Sequence, residues 1–180
     1  MSSEDFALVE RCRSGDRFAL HALVSRYQRP VFNAAYRILG NTDDAADATQ
    51  ITFLKVFENL DSYDAQYKLF SWIYRIVVNE SINQLHRARQ MQPLDEDDEP
   101  GGDDPEQHAA DGMLSRQTQV CLMALPEEYR VVLVLRHFSE CSYAQICDIL
   151  QLPEKTVKSR IYIARQQLRK LLVDSGVNRE

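Results

Sequence analysis

The stretch SYAQICDILQLPEKTVKSRIYIARQQLRKLLV, residues 142–173, reads as a short helix, a three-residue turn and a long helix. Ser142 offers a side-chain acceptor where a helix begins, and that helix should end near Leu150. Gln151-Leu152-Pro153 forms the turn, with Gln151 standing where a glycine of positive φ is usual. From Glu154 to about Val173, the residues Val157, Ile161, Ala164, Leu168 and Leu171 recur at helical spacing, so one face is apolar. The same helix carries Lys155, Lys158, Arg160, Arg165, Arg169 and Lys170 against one acid, Glu154. Two helices joined by so short a turn make a helix-turn-helix, whose second helix enters the major groove. Lys155, Lys158, Ser159 and Tyr162 lie near its N-terminal end, off the apolar stripe. There side chains can reach base edges and the helix terminus favours a phosphate. A solvated basic face on an ordinary helical hairpin is the plain alternative.

Upstream, Met113–Leu125 and Glu127–Phe138 read as two further helices, with Pro126 at a helix start. Before them lies PLDEDDEPGGDDPEQHAADG (93–112), which has nine acids, no base and no large apolar residue except Leu94. Such a segment cannot bury enough surface to offset ordering entropy, so a flexible, extended acidic linker is expected. The net charge of the chain is −6, yet residues 1–92 are neutral and residues 113–180 carry +3. The acidity therefore belongs to the linker and does not argue against nucleic acid.

The first 92 residues read as helix throughout. A short amphipathic helix is expected around Phe6–Cys12. Leu20, Leu23, Tyr27, Val31, Ala34 and Ile38 form one helical face, with Pro30 expected to kink or break it. Gly40-Asn41 stops that helix, and Thr42 or Asp43 caps the next. Its apolar stripe is read as Ala46, Thr49, Phe53, Val56 and Leu60. Asp43, Asp47, Gln50 and Leu54 share another face, which is either a docking surface or a normal polar one. A third long helix, from about Leu69 to Arg89, turns Trp72, Ile73, Ile76, Val77 and Leu85 inward. Tyr63, Tyr67, Phe70, Trp72 and Tyr74 crowd around its start, with Arg75, Arg87 and Arg89 nearby and Asn79 and Asn83 one turn apart. Aromatics stack on unpaired bases, cations hold phosphates and asparagines read base edges. Most of these aromatics can equally be core, and Phe70 and Trp72 are expected there. The fold class expected is all-α: two small helical domains, 1–92 and 113–180, joined by the linker 93–112.

Three collinear segments carry a family resemblance. DDAADATQITFLKVF (43–57) resembles the core-polymerase-binding helix of extracytoplasmic-function sigma factors of the sigma-70 family. FSWIYRIVVNESINQL (70–85) resembles their promoter-melting helix. LPEEYRVVLVLRHFSECSYAQICDILQLPEKTVKSRIYIARQQLRK (125–170) resembles their C-terminal domain. The resemblance implies that Asp43, Asp47, Gln50, Phe53 and Leu54 meet the β′ clamp helices of core RNA polymerase, with the β flap as a further contact. It implies that the loop 61–66 and Tyr63, Tyr67, Trp72, Arg75, Asn79, Asn83 and Arg87 handle the minus-ten element. Lys155, Thr156, Lys158, Ser159, Arg160, Tyr162 and Arg165 would read the minus-thirty-five element. An anti-sigma factor is the implied regulator, and the linker resembles the segment that threads toward the RNA channel. Departures from the family pattern are Ala46 and Ile51 where acids are frequent, Asn83 for aspartate, His86 for arginine, Ile163 for a basic residue and Cys147 for alanine.

The function implied is promoter-specific transcription initiation. A self-sufficient two-domain repressor or activator would leave the docking face and the aromatic stretch unexplained. A helical adaptor binding only proteins would leave the basic helix unexplained. No catalytic residue, cofactor or metal is expected. No Gly-rich phosphate loop appears, and His137, Cys141 and Cys147 are spaced H-x3-C-x5-C, unlike a zinc motif. Four scattered cysteines, Cys12, Cys121, Cys141 and Cys147, fit reduced thiols. Without a signal-peptide layout or an apolar run near the ~18 residues of a membrane span, a cytoplasmic protein with no membrane insertion is expected. An anti-sigma factor could still hold it at the inner membrane.

Overall fold

A computed structural model of the chain describes residues 3–91 and 109–176. Those residues form eight α-helices and no strand: α1 (Ser3–Arg13), α2 (Arg17–Leu39), α3 (Thr42–Glu58), α4 (Leu69–Met91), α5 (Ala109–Met123), α6 (Glu127–Leu133), α7 (Tyr143–Leu150) and α8 (Glu154–Asp174). A 3₁₀ turn at Leu60–Ser62 follows α3, and a π turn at Val134–Phe138 extends α6. The expected linker lies mostly outside the described residues. Helix α5 begins at Ala109, inside the linker's expected end.

Local chemistry sets the helix ends. Asp16 caps α2 by accepting from the backbone N–H groups of Phe18 and Ala19. Gly40 ends α2 at φ 79°, a left-handed position that only glycine adopts freely. The cap of α3 is Asn41, whose side chain accepts from the N–H groups of Asp43 and Asp44, rather than Thr42 or Asp43. Asn41 alone has the extended backbone that a capping residue needs. Ser142 and Gln145 form a reciprocal capping box at α7. Pro30 does not break α2, which runs unbroken through it while Tyr27, Val31 and Ala34 on the core side stay buried.

Helices α1 to α4 enclose a first core around Leu23, Val31, Phe53, Val56, Ile73 and Val77. Thr49, Phe53, Val56 and Leu60 are buried as expected, and the stripe departs from the expected one at Ala46. Ala45, Ala48, Thr49, Thr52, Phe53 and Val56 are buried, and Ala46 is exposed. The second core joins Leu122, Val131, Leu135, Ile146, Val157 and Ile161 to Ala34 and Ile38 of α2 and to Tyr74 and Val78 of α4. The second half is therefore built directly onto the first.

Polar groups close that seam. The Arg130 guanidinium is buried and donates to the carbonyls of Ile38 (2.6 Å), Met123 (2.9 Å) and Leu125 (3.0 Å). Gln119 is buried too, and its amide donates to the carbonyls of Tyr36 and Arg37 while accepting from Arg37. The bonds to Arg37 and Ile38 serve carbonyls of the last turn of α2, and the Tyr36 carbonyl also accepts from the Gly40 N–H. Met123 lies so close over Gly40 that a Cβ there would sit 2.6 Å from its sulfur.

Candidate functional site

The exposed residues of α3 edge a groove. Asp43, Asp47, Gln50 and Leu54 all face solvent, Leu54 with 54% of its surface exposed. Gln50, Phe53, Leu54 and Phe57 of α3 face Val24, Gln28, Arg29 and Phe32 of α2 across a groove of about 710 Å³. Phe53 is buried and forms the floor. The α2 wall was missed in the sequence. Its signal was Phe32 beside the core residue Val31, one apolar residue more than a single stripe requires. A largely apolar trough of this kind can seat the apolar face of an amphipathic helix.

On α4, Asn79 and Asn83 are exposed, and Trp72 is half-buried two turns before Asn79. Tyr67 is 46% exposed above them. Tyr63 sits elsewhere: it is buried, its hydroxyl donates to the Tyr67 carbonyl (2.6 Å), and its ring lies 5.1 Å from that of Trp72. It supports the aromatic surface from beneath. Phe70 is half-buried as expected, while Tyr74 is fully buried and burial pushes its hydroxyl pKa up to about 12. Arg87 pairs with the buried Glu80 at 3.7 Å, and Lys55 pairs with the same carboxylate. Arg75 is half-buried, with its guanidinium 5.8 Å from the centre of the Tyr67 ring. It donates to the Asp148 carbonyl at the end of α7 (2.5 Å), and its Nε is buried without a partner.

On α8, Val157, Ile161 and Ala164 are buried, and Lys155, Lys158, Ser159, Tyr162 and Arg165 are exposed. Tyr162 has 67% of its surface free. Thr156 is half-buried, and Arg160 turns aside to pair with Glu128 at 2.7 Å. Lys158 pairs with Glu154, whose carboxylate raises the ammonium pKa above its ordinary value. Both partners are well exposed, so the pair holds Lys158 only weakly. Arg165 donates to His137 Nε2 (3.2 Å), which requires a neutral imidazole. Gln151 adopts φ 53°, ψ 43°, the left-handed conformation that the turn demands, so the helix-turn-helix forms without the usual glycine.

Among the described residues, no three His, Cys, Asp or Glu side chains could share a metal ion, and no helix is long and apolar enough to cross a membrane. Cys12, Cys121 and Cys141 are buried, Cys147 is half-buried, and burial pushes the Cys141 thiol up to about 12.

Comparison with known proteins agrees with this geometry. Residues 23–91 match the model of Sigma-70 region 2, and residues 115–168 match that of Sigma-70, region 4. The ECF RNA polymerase sigma factor SigW of Bacillus subtilis is 33% identical over 92% of this chain and 95% of its own length. The ECF RNA polymerase sigma-E factor of Escherichia coli is 32% identical over 91% of this chain and 92% of its own. The solved structure of CnrH in complex with the cytosolic domain of CnrY superposes with a TM-score of 0.71 at 25% identity, covering 93% of this chain and 96% of that one. The sigma factor RpoE of Bartonella quintana, solved with the anti-sigma factor NepR, shares the fold with a TM-score of 0.70. A groove on α3, an aromatic and amide face on α4 and the basic helix α8 thus occur together in a chain that belongs to the sigma-70 family, as an extracytoplasmic-function RNA polymerase sigma factor that directs promoter-specific initiation.

Proposed function

We propose that this sigma factor divides its work among three faces. The α2–α3 groove docks on the β′ clamp helices of core polymerase through Asp43, Asp47, Gln50, Phe53 and Leu54. The α4 face, with Tyr67, Trp72, Asn79 and Asn83, receives minus-ten bases once the duplex opens. The exposed row of α8 reads the minus-thirty-five duplex. Residues 1–92 and 113–180 are the corresponding functional units. The observation that carries the reading is α8: Lys155, Lys158, Ser159, Tyr162 and Arg165 are all exposed, away from its buried stripe. The protein works by binding, without bond chemistry of its own, in the cytoplasm. An anti-sigma factor is its natural inhibitor, since CnrH and RpoE were each solved with a partner. That partner would cover residues 43–54, 154–165, or both.

Run-off transcription with core polymerase tests the division. Only an extruded base presents its full edge and face, so α4 should act after melting. Lys158→Ala should impair linear promoters and be partly bypassed on a template with a pre-opened minus-ten bubble. Asn79→Ala should blunt minus-ten discrimination by about 1–3 kcal/mol and leave minus-thirty-five preference untouched. An Asn79→Ala holoenzyme with altered minus-thirty-five preference would contradict the assignment.

A further inference from the structure

Helix α6 ends in a π turn, Val134–Phe138, closed by the Ser139 N–H donating to the Val134 carbonyl (3.0 Å). Its wider spiral sends neighbouring side chains to different helices. Phe138 lies against α2, with the Arg37 guanidinium 4.7 Å from its ring centre. His137 meets α8, where Arg165 Nε donates to its Nε2 (3.2 Å). Both His137 and Arg165 are exposed. Lys155, Lys158, Tyr162 and Arg165 follow one another at spacings of three and four, so Arg165 continues the exposed row of α8. It lies about 16 Å along the helix from Glu154, farther than the major groove's width of about 12 Å. A helix whose first turns read base edges therefore brings Arg165 to the phosphate rim of the groove.

The charged groups that act on His137 are Arg165 of α8 and Arg136 of its own turn, with Arg37 of α2 over the adjacent Phe138. Arg136 is engaged elsewhere, donating to the Cys141 carbonyl (2.9 Å) and lying over the Tyr143 ring. Desolvation, then Arg165 and Arg136, hold the His137 pKa below the ordinary histidine value. Near neutral pH the ring is therefore unprotonated, and its lone pair serves Arg165. An arriving anion reverses that balance, because it favours both cations at once. We propose that His137 is a further duplex-contact residue that works by taking up a proton: as a backbone phosphate arrives, Nε2 accepts one proton from solvent, Arg165 is released, and imidazolium and guanidinium hold the phosphate between them. This rests on the assignment of α8 to duplex DNA. Binding then consumes up to one proton between the free and DNA-bound midpoints of His137, so the grip of α8 tightens as the pH falls. Above both midpoints the ring stays neutral and the contribution is absent.

The test uses holoenzyme reconstituted with core polymerase. The probes are closed linear duplexes that the native holoenzyme selects from a random-sequence pool. Affinity is measured at about pH 7.5 and about pH 5.5, on either side of the ordinary histidine range, each over a series of salt concentrations. Other titrating groups are common to every arm. His137→Gln, whose amide can still accept from Arg165 but takes up no proton, therefore isolates the residue. Native and His137→Gln holoenzymes should agree within about twofold at the higher pH, where both side chains are neutral. On acidification the native holoenzyme should gain about tenfold more affinity than the variant, the effect of one pKa unit. Its salt dependence at the lower pH should also be steeper, by about one to two phosphate contacts. Equal gains in the two overturn the proposal. So does a larger native gain with equal salt slopes, since the proton then acts through the fold and not on a phosphate. Lys158→Ala tests the reading beneath: it should weaken binding at both pH values and keep the native gain. If Lys158→Ala binds as the native holoenzyme does at both, the assignment of α8 to duplex fails, and the proposal falls with it.

Discussion

Gln151 holds a left-handed backbone at φ 53°, a conformation that costs an L-residue about 1–2 kcal/mol. Its amide recovers part of that by donating to the Asp148 carbonyl at 2.8 Å. Gln151→Gly should therefore stabilise the protein by only about 0.5 kcal/mol, the relief of strain less an exposed hydrogen bond. A urea midpoint that falls would show that the side-chain bond outweighs the strain. His137 gives a pH prediction. Desolvation, with Arg165 and Arg136 nearby, lowers its pKa below the ordinary histidine value. The folded state therefore prefers the neutral ring. That contribution to stability is present above about pH 6.5 and is lost as the pH falls through the lowered folded value. NMR titration should place the His137 midpoint below 6.5, and protonation should release Arg165, since an imidazolium cannot accept its N–H. A midpoint at or above 6.5 would refute this.

Elements were the most legible scale. Their number, the start of α7 at Ser142, the end of α2 at Gly40 and the span of α8 follow from periodicity and cap chemistry. What misled was position within an element. Ala46 reads as inward by spacing, yet it is exposed, while Ala45, Ala48 and Thr52 join the expected Thr49, Phe53 and Val56 on the buried face. Thr52, like Thr49, hides its hydroxyl by donating to a carbonyl one turn back, but its polarity kept it out of the stripe read from the sequence. Tyr63 reads as a stacking surface because composition does not separate an exposed ring from one buried over Trp72. On α3, the exposed Asp47 and Gln50 make a clean test of docking. Asp47→Ala combined with Gln50→Ala should leave thermal unfolding within about 0.5 kcal/mol of the native chain. It should weaken holoenzyme assembly at least about tenfold, a loss of 1.4 kcal/mol. Unchanged assembly in a binding assay with purified core polymerase would defeat the assignment.

At the scale of the whole molecule, the sequence suggested two small helical domains on a tether, and the structure adds that Ala34, Ile38, Tyr74 and Val78 of the first half complete the core of the second. No periodicity could reveal this. The partners lie on either side of an acidic stretch, and Gln119 and Arg130 look like ordinary polar residues until α2 ends against them. Arg130 is the sharpest probe of that union. Its guanidinium is desolvated, which lowers its pKa, and it spends its donors on three backbone carbonyls from both halves. Arg130→Met keeps the length and apolar stem but leaves those carbonyls without their donor. A buried acceptor so stranded costs about 1–3 kcal/mol, and partial access of water should limit the total to about 3 kcal/mol. Because Ile38 belongs to the first half, the loss should reach both cores. Native-state hydrogen exchange should then show amides of α2 near Ile38 opening more readily, together with those of α6 and α8. If protection fell in α6 and α8 alone, the halves would be energetically independent, and their contact would contribute nothing to the stability of either.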